Sequence, residues 1–269
     1  MNLHEYDLIV INSSGGKDSL CAIYETCRLA DEQLYPKWKI HVSHQDLGRM
    51  EWEGTKELAK LQADHFGLNF IVSIRRDKNG KEETLLEYVR RRKMWPSSQQ
   101  RWCTSDYKRG PGARVVTQLT KGMKGIKVLY IFGFRKDESP ARKKKEALKV
   151  NKQLTTKLPK KGLRQREVHE WLPIHGWSTK RVWETIKEHG LPYHMAYKKG
   201  MPRLSCVFCI FSPFDALVIA GIANYELLCE YVKVEDEIGH TFKADLSLRE
   251  VKEAIDKGYK PVNVADWVM

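Results

Sequence analysis

Leu8-Ile9-Val10-Ile11, followed shortly by Ser14-Gly15-Gly16-Lys17-Asp18-Ser19, decides how this chain reads. Four apolar β-formers in a row predict a buried strand. The two glycines predict a tight turn. Leu20, Ile23, Tyr24 and Cys27 fall at i, i+3, i+4 and i+7, which predicts a helix over Asp18–Ala30. Strand, glycine turn and helix together make a phosphate cradle. Backbone N–H groups can approach an anion there, and the helix N-terminus adds partial positive charge. Lys17 is placed to reach a phosphate oxygen, and Ser14 and Ser19 can donate hydroxyl hydrogen bonds. The spacing is not that of G-x-x-x-x-G-K-[ST], because no glycine stands four residues ahead of the Gly-Lys pair.

Working outward, strands are expected at Asp7–Asn12, Trp38–Val42, Asn69–Ile74 and Lys127–Phe132. Helices are expected at Trp52–Phe66, Glu82–Lys93 and Pro111–Leu119, and from Ser178 to His189. Alternating strands and helices predict an α/β fold with a doubly wound, mostly parallel sheet, whose ligands bind at the carboxyl ends of the strands. Ser14–Ser19, His44–Gly48 and Gly133–Arg142 all follow strands. Ala141–Arg166 has little apolar periodicity and reads as a loop or weak helix. The last seventy or so residues read as helical, clearest at Phe214–Tyr231 and Leu248–Lys257. The expected organisation is a core over residues 1–200, with a C-x-x-C loop and helical region over 201–269 packed on it.

The chain has 269 residues, is 42% hydrophobic and carries a net charge of +13. That composition suits a packed globular core and argues against disorder. The opening residues carry no basic-plus-apolar leader, and the longest apolar stretch, Ala216 to Ala223, is too short to span a membrane. A cytoplasmic protein with reduced cysteines is expected. The charge is uneven. Between Arg135 and Arg166 stand thirteen basic residues, including Lys143, Lys144, Lys145, Lys152, Lys157, Lys160, Lys161 and Arg164, against three acidic ones. Arg90-Arg91-Arg92-Lys93 forms a second cluster. Concentrated positive charge points to an anionic partner, most simply nucleic acid. Trp95 and Trp102, set among these cations, are the candidate base-stacking rings, whereas Trp38, Trp52, Trp183 and Trp267 read as core.

These motifs, taken in order, resemble the phosphoadenosine-phosphosulfate reductase family, the sulfur-handling branch of the PP-loop ATP pyrophosphatases. The likeness runs from about Tyr6 to Pro213. Ser14–Ser19 matches the PP-loop, and His44-Gln45-Asp46-Leu47-Gly48 resembles the segment that approaches the nucleoside. Trp102-Cys103-Thr104, with Lys108 and Pro111, resembles the cysteine loop. Gly133-Phe134-Arg135-Lys136-Asp137-Glu138-Ser139, with Arg142, resembles the second phosphate-side motif. Leu172-Pro173-Ile174 through Trp183, and Leu191-Pro192-Tyr193 to Tyr197, match the later helix and loop. The resemblance implies an adenine-nucleotide alpha hydrolase-like fold, ATP and Mg²⁺ as cofactors, and nucleotide contacts from Ser14, Gly15, Gly16, Lys17, Asp18, Ser19, Asp46, Gly133 and Arg135. Reductases that cleave no ATP have PP-loops lacking the lysine. With Lys17 present, this chain resembles the members that split ATP, such as the small subunit of ATP sulfurylase or the enzymes of DNA phosphorothioation.

Cys206-Val207-Phe208-Cys209 is a C-x-x-C pair, and Cys103 lies far upstream. Thiolates at such spacing can share one metal or cluster. Adenylylsulfate reductases resemble this layout and hold a 4Fe–4S cluster between a cysteine pair and a C-x-x-C. Here Trp102 replaces one of the paired cysteines. Three ligands would leave one iron open, as in tRNA-thiolating relatives. Three alternatives stay open: a cluster, a zinc shared with a histidine such as His194, or metal-free thiols acting as a redox dithiol or carrying persulfide. Cys21, Cys27 and Cys229 read as packing residues. His65, His189 and His240 read as surface or cap residues.

The expected activity is hydrolysis of ATP between the α and β phosphates, coupled to adenylation of an acceptor and transfer of sulfur to it. Lys17 and Asp18 serve the phosphates, Arg135 and Arg142 clamp phosphates or acceptor, and Cys103, Cys206 and Cys209 handle sulfur. The favoured acceptor is nucleic acid, most simply DNA in phosphorothioation, with a cysteine desulfurase or other sulfur donor as partner. Sulfate assimilation and tRNA thiolation are the enzymatic alternatives, and a nucleotide-sensing scaffold is the non-enzymatic one.

Overall fold

In the computed structural model, β1 (Leu8–Ser13) lies inside a sheet ordered β3-β2-β1-β4-β7-β5. The structure describes residues 1–157, 164–262 and 264. Lys160, Lys161 and Trp267, with the side chains of Lys157 and Arg164, lie outside that description. In chain order, α1 (Lys17–Glu32), β2 (Ile40–Asp46), α2 (Thr55–His65), β3 (Asn69–Ile74) and α3 (Leu85–Arg92) come first. They are followed by α4 (Trp102–Thr104), α5 (Gly110–Leu119), β4 (Ile126–Ile131), α6 (Pro140–Lys143), β5 (Leu148–Val150) and β6 (Thr156–Lys157). Last come β7 (Arg164–Trp171), α7 (Thr179–Glu188), α8 (Phe214–Ala223), α9 (Tyr225–Ile238) and α10 (Leu248–Asp256). The expected doubly wound, mostly parallel sheet is present: β1 pairs in parallel with β2 and β4, and β4 with β7.

The chain divides into two units. The first comprises Met1–Gln45, Gly54–Ser73 and Gly112–His194. Its β1 shows why a strand beside the loop must be apolar throughout. Ile9 and Ile11 point to one face and meet Ala22, Ile23 and Cys27 of α1 and Ala63 of α2. Val10, on the other face, meets Val115 and Val116 of α5. Covering both faces of a parallel strand removes it from water, and the loop that follows is set on a rigid base.

The segment Ala141–Arg166 is not the expected loop or weak helix. It holds α6, β5, β6 and the start of β7. Val168 of β7 is buried against β4, while β5 and β6 both pair antiparallel to β7. Charged outward residues hide this strand in the sequence. Glu170 accepts from Asn151 at 2.8 Å and meets Lys149 at 3.1 Å, so polar side chains stabilise a strand that apolar content does not announce.

The second unit comprises Asp46–Glu53, Ile74–Pro111 and Met195–Met269. It thus takes in the expected 201–269 region together with two earlier segments. A Thr84–Glu87 capping box starts α3, and Ser247–Glu250 does the same for α10. Trp95 stacks on Tyr231 with centroids 5.2 Å apart, and the helix expected over Phe214–Tyr231 breaks at Asn224 into α8 and α9. Among the described residues no helix is long and apolar enough to cross a membrane.

Candidate functional site

The loop after β1 is held from four sides within the first unit. Gly15 turns at φ 69°, a conformation that suits glycine. Ser13 Oγ accepts from the Gly15 N–H at 3.1 Å, and Ser14 Oγ from the Gly16 N–H at 3.4 Å. Ser19 Oγ donates to the Gly16 carbonyl at 2.9 Å and accepts from the Ser14 N–H at 3.3 Å. Gln62 of α2, buried, donates to the Gly15 carbonyl at 3.1 Å. Gly16 is the N-cap of α1 and brings no side-chain cap, so the helix end is not closed by a side chain of its own cap. Lys17, the first helical residue, is 1% exposed, with Nζ 3.6 Å from Asp18 Oδ2.

The segment after β4 closes onto this helix start. A Cβ on Gly133 would lie 2.6 Å from the Asp18 carbonyl oxygen and 2.9 Å from the Ser19 nitrogen, so only glycine permits the approach. Two residues on, Arg135 is 1% exposed. Its Nε donates to Asp18 Oδ1 at 2.6 Å and its Nη1 to Asp137 Oδ1 at 2.5 Å. Burial works against the Arg135 charge, but Asp18, Asp137 and Glu138 more than offset this and hold its pKa up. Glu138 accepts from the Arg135 N–H at 2.8 Å and pairs with Arg142, whose guanidinium carbon lies 4.4 Å over the Phe134 ring. Arg135 and Asp18 therefore neutralise each other. Asp46 ends β2, and its Oδ1 accepts from the Gly48 N–H at 2.7 Å.

The second unit gathers Cys103, Cys206, Cys209 and Lys108. Cys103 sits in α4, and Lys108 on the π-turn Ser105–Arg109 that follows it. The C-x-x-C loop is pinned by the Val207 N–H donating to the Met50 carbonyl at 2.8 Å, and by Val207 and Phe208 packed in the core. Burial pushes the Cys209 thiol up to about 11, with Cys206 adding to the rise and Lys108 opposing it. Burial, then Cys206, raises Cys103, again against Lys108. The Lys108 ammonium is favoured first by Cys206, then by Cys209 and Cys103, against a desolvation penalty. Yet Lys108 is solvent-accessible and the three thiols are half-buried, so the group is reachable from solvent. Nearby in sequence, Trp102 Nε1 and Ser212 Oγ are buried and have no hydrogen-bond partner among the described residues.

The tryptophan expectations invert in part. Trp95 and Trp102 are core residues, not stacking platforms: Trp95 Nε1 donates to the His240 carbonyl at 3.0 Å, and Trp102 packs edge-on to Tyr88. Trp38, expected inside, is 71% exposed under Lys39. Its 3₁₀ turn, Lys37–Lys39, precedes the strand rather than joining it, which leaves the ring outside the sheet. Trp52 is buried, Trp183 packs partly on α1, and Cys21 and Cys27 are core. Cys229 is only half-buried. His194 lies in the first unit, buried, with Nε2 3.5 Å from Thr55 Oγ1. Lys143, Lys144, Lys145 and Lys152 are exposed. The sequence reading missed Gln62 and Ser13. Gln62 left a trace, as a polar residue at a position in phase with the buried Ala59 and Ala63.

A glycine loop between a buried parallel strand and a helix, locked by an arginine that follows the neighbouring strand, is the arrangement expected of the PP-loop class. The chain belongs to the phosphoadenosine phosphosulfate reductase domain family, which matches residues 8–211. An uncharacterized protein of Methanocaldococcus jannaschii is 27% identical over 201 residues, covering 75% of this chain and 36% of its own. The adenosine 5′-phosphosulfate reductase of Staphylococcus haemolyticus is 29% identical over 92 residues, covering 34% of this chain and 33% of its own. The chain thus spans about a third of the length of these curated relatives. Among solved structures, phosphoadenylyl-sulfate reductase of Candida auris aligns with a TM-score of 0.48 and 15% identity, over 76% of this chain and 83% of that one. The U34-tRNA thiolase NcsA of Methanococcus maripaludis, solved with its [4Fe-4S] cluster, aligns with a TM-score of 0.43 and 16% identity, over 94% of this chain and 72% of that one.

Two outcomes follow from this geometry. Gly133→Ala drives a methyl into the backbone at Asp18 and is expected to cost about 1–3 kcal/mol in thermal unfolding and to weaken ATP binding. A thermal midpoint and ATP affinity equal to wild type would contradict the close approach. Metal-free Cys209 should alkylate with a midpoint near pH 11, the value to which its thiol is raised. A raised pKa keeps the thiol protonated at neutral pH, and Lys108→Met should slow labelling further by removing the cation that favours the thiolate. Rate against pH with a mass-spectrometric readout checks both.

Proposed function

We propose that the chain splits ATP between the α and β phosphates and adenylates an acceptor oxygen, and that a sulfide-level sulfur nucleophile then attacks the acceptor atom and expels AMP with that oxygen. The observation that carries the reading is the intact Ser14–Ser19 loop, with Lys17 at the first residue of α1 and its backbone fixed by Ser13, Ser19 and Gln62. The acceptor oxygen attacks the α-phosphorus, the bond from that phosphorus to the bridging oxygen breaks, and pyrophosphate leaves with the electron pair. Lys17 and the N-terminus of α1 stabilise the charge on the leaving group. Asp18, held between Arg135 and Lys17, serves the loop's shape. A magnesium ion would therefore be held by phosphates and water rather than by Asp18. Arg135 acts through Asp18, and Arg142 is the arginine placed to meet a phosphate or the acceptor.

Sulfur handling falls to Cys103, Cys206 and Cys209. An iron–sulfur cluster suits this donor set, because Lys108 offsets negative charge and Trp102 Nε1 and Ser212 Oγ are donors with no partner among the described residues. Cys103, Cys206 and Cys209 would hold such a cluster, which would supply sulfur-binding chemistry when present. The same thiols without metal are the alternative. The exposed Lys143-Lys144-Lys145 run favours nucleic acid as acceptor, with DNA phosphorothioation the leading pathway and a cysteine desulfurase the donor.

Lys17→Ala should abolish pyrophosphate release while the thermal midpoint stays within a few degrees of wild type. An undiminished rate removes Lys17 from the reaction. If the acceptor is nucleic acid, changing Lys143, Lys144 and Lys145 together to Ala should weaken oligonucleotide binding about equally for all sequences and flatten its salt dependence. Unchanged binding would move the acceptor to sulfate or another small anion.

A further inference from the structure

We propose that Arg166, aimed by Thr117 and Thr120, forms a second anion seat in the first unit that takes a phosphate group and is separate from the Ser14–Ser19 loop. Arg166 is 7% exposed. Its Nε donates to the Leu154 carbonyl at 2.9 Å, and its Nη1 to Thr120 Oγ1 at 2.7 Å and Thr117 Oγ1 at 3.4 Å. Each hydroxyl spends its own proton on a helix carbonyl, Thr117 on Ala113 at 3.1 Å and Thr120 on Val116 at 2.8 Å. The threonines thus accept from the guanidinium and fix its direction, and the Nη2 donors have no assigned acceptor among the described residues.

The missing element is a counter-charge. Arg135, also buried in the same unit, has Asp18 and Asp137. Among the described residues Arg166 has no carboxylate partner, and burial pushes its pKa down with nothing to offset it. Buried arginines are ordinarily paired. The chain around Arg166 supplies no candidate: no Asp or Glu occurs between Asp106 and Asp137, or between Glu146 and Glu167. Asp7, at the same edge of the sheet, is engaged by the Lys127 N–H at 2.8 Å. Meanwhile Thr117 of α5, and Lys121 and Lys124 in the turn and loop that follow it, are exposed. An anion with several oxygens in a plane-matching fork, which is phosphate chemistry, completes the site.

Arg166 pairs with Ile126, the first residue of β4, whereas the loop follows the last residue of β1. The two sites therefore sit at opposite ends of the strands, and this phosphate is gripped rather than turned over. Its source is either a nucleic-acid backbone or a free phosphate.

The test uses the full chain in a Lys17→Ala background, which weakens phosphate binding at the loop. Inorganic phosphate is titrated against the thermal midpoint, with chloride at matched ionic strength as control. A fluorescent single-stranded DNA 20-mer and its RNA counterpart are titrated by anisotropy. Phosphate should raise the midpoint, and Arg166→Gln should weaken that effect about tenfold. Thr117→Val, an exposed change that leaves the fold alone, should weaken it severalfold and keeps the test open if Arg166→Gln unfolds. Loss of oligonucleotide affinity in the same variants assigns the seat to a nucleic-acid backbone, and loss confined to inorganic phosphate assigns it to a free phosphate. A phosphate response in Thr117→Val and in any folded Arg166→Gln equal to that of the background overturns the proposal.

Discussion

The pairing of the buried Arg135 guanidinium with the Asp18 carboxylate is the contact on which the proposed phosphate site depends. It joins the segment after β4 to the head of α1. Removing one member of such a pair strands a buried charge, which costs far more than the pair itself contributes. Gly133 makes the same junction sterically, because its missing side chain lets the backbone of Asp18 come close. The loop's shape is therefore fixed before any ligand arrives. A preorganised set of dipoles stabilises developing charge without reorganising at the moment of reaction.

The second unit solves a different problem with related physics. Burial raises the thiols of Cys209 and Cys103. Lys108 supplies the opposite charge that favours thiolates, and its place on a π-turn directs it differently from an uninterrupted helix. The loop that carries Cys206 and Cys209 is anchored by Val207 and Phe208, so two apolar residues inside the C-x-x-C fix the positions of the two cysteines. Membership in the phosphoadenosine phosphosulfate reductase domain family accounts for both parts lying within one chain.

Much of this was legible in the sequence, for reasons specific to each element. The loop was legible because β1, covered on both faces, must be apolar at every position, and because two adjacent glycines before a lysine have few other uses. β3 falls at Asn69–Ile74 as its β-branched run predicts. β7 was not legible, since its outward residues are charged and its pairing with β4 is a non-local fact. The tryptophans misled for a similar reason. Trp95 and Trp102 have cationic neighbours in sequence, but Tyr231, Phe242 and Tyr88 enclose them in space. Arg135 read as a phosphate clamp because its motif follows a strand. The carboxylates that occupy it, one of them over a hundred residues away, appear only on folding.

The most direct measurement is a double-mutant cycle on Asp18 and Arg135, read as the affinity for a non-hydrolysable ATP analogue. Asp18→Asn and Arg135→Met should each weaken binding at least tenfold. The double variant should bind no worse than the weaker single variant, because the two residues act as one unit. Strictly additive losses would mean that each residue meets the nucleotide on its own, and would contradict the account in which their pairing shapes the loop.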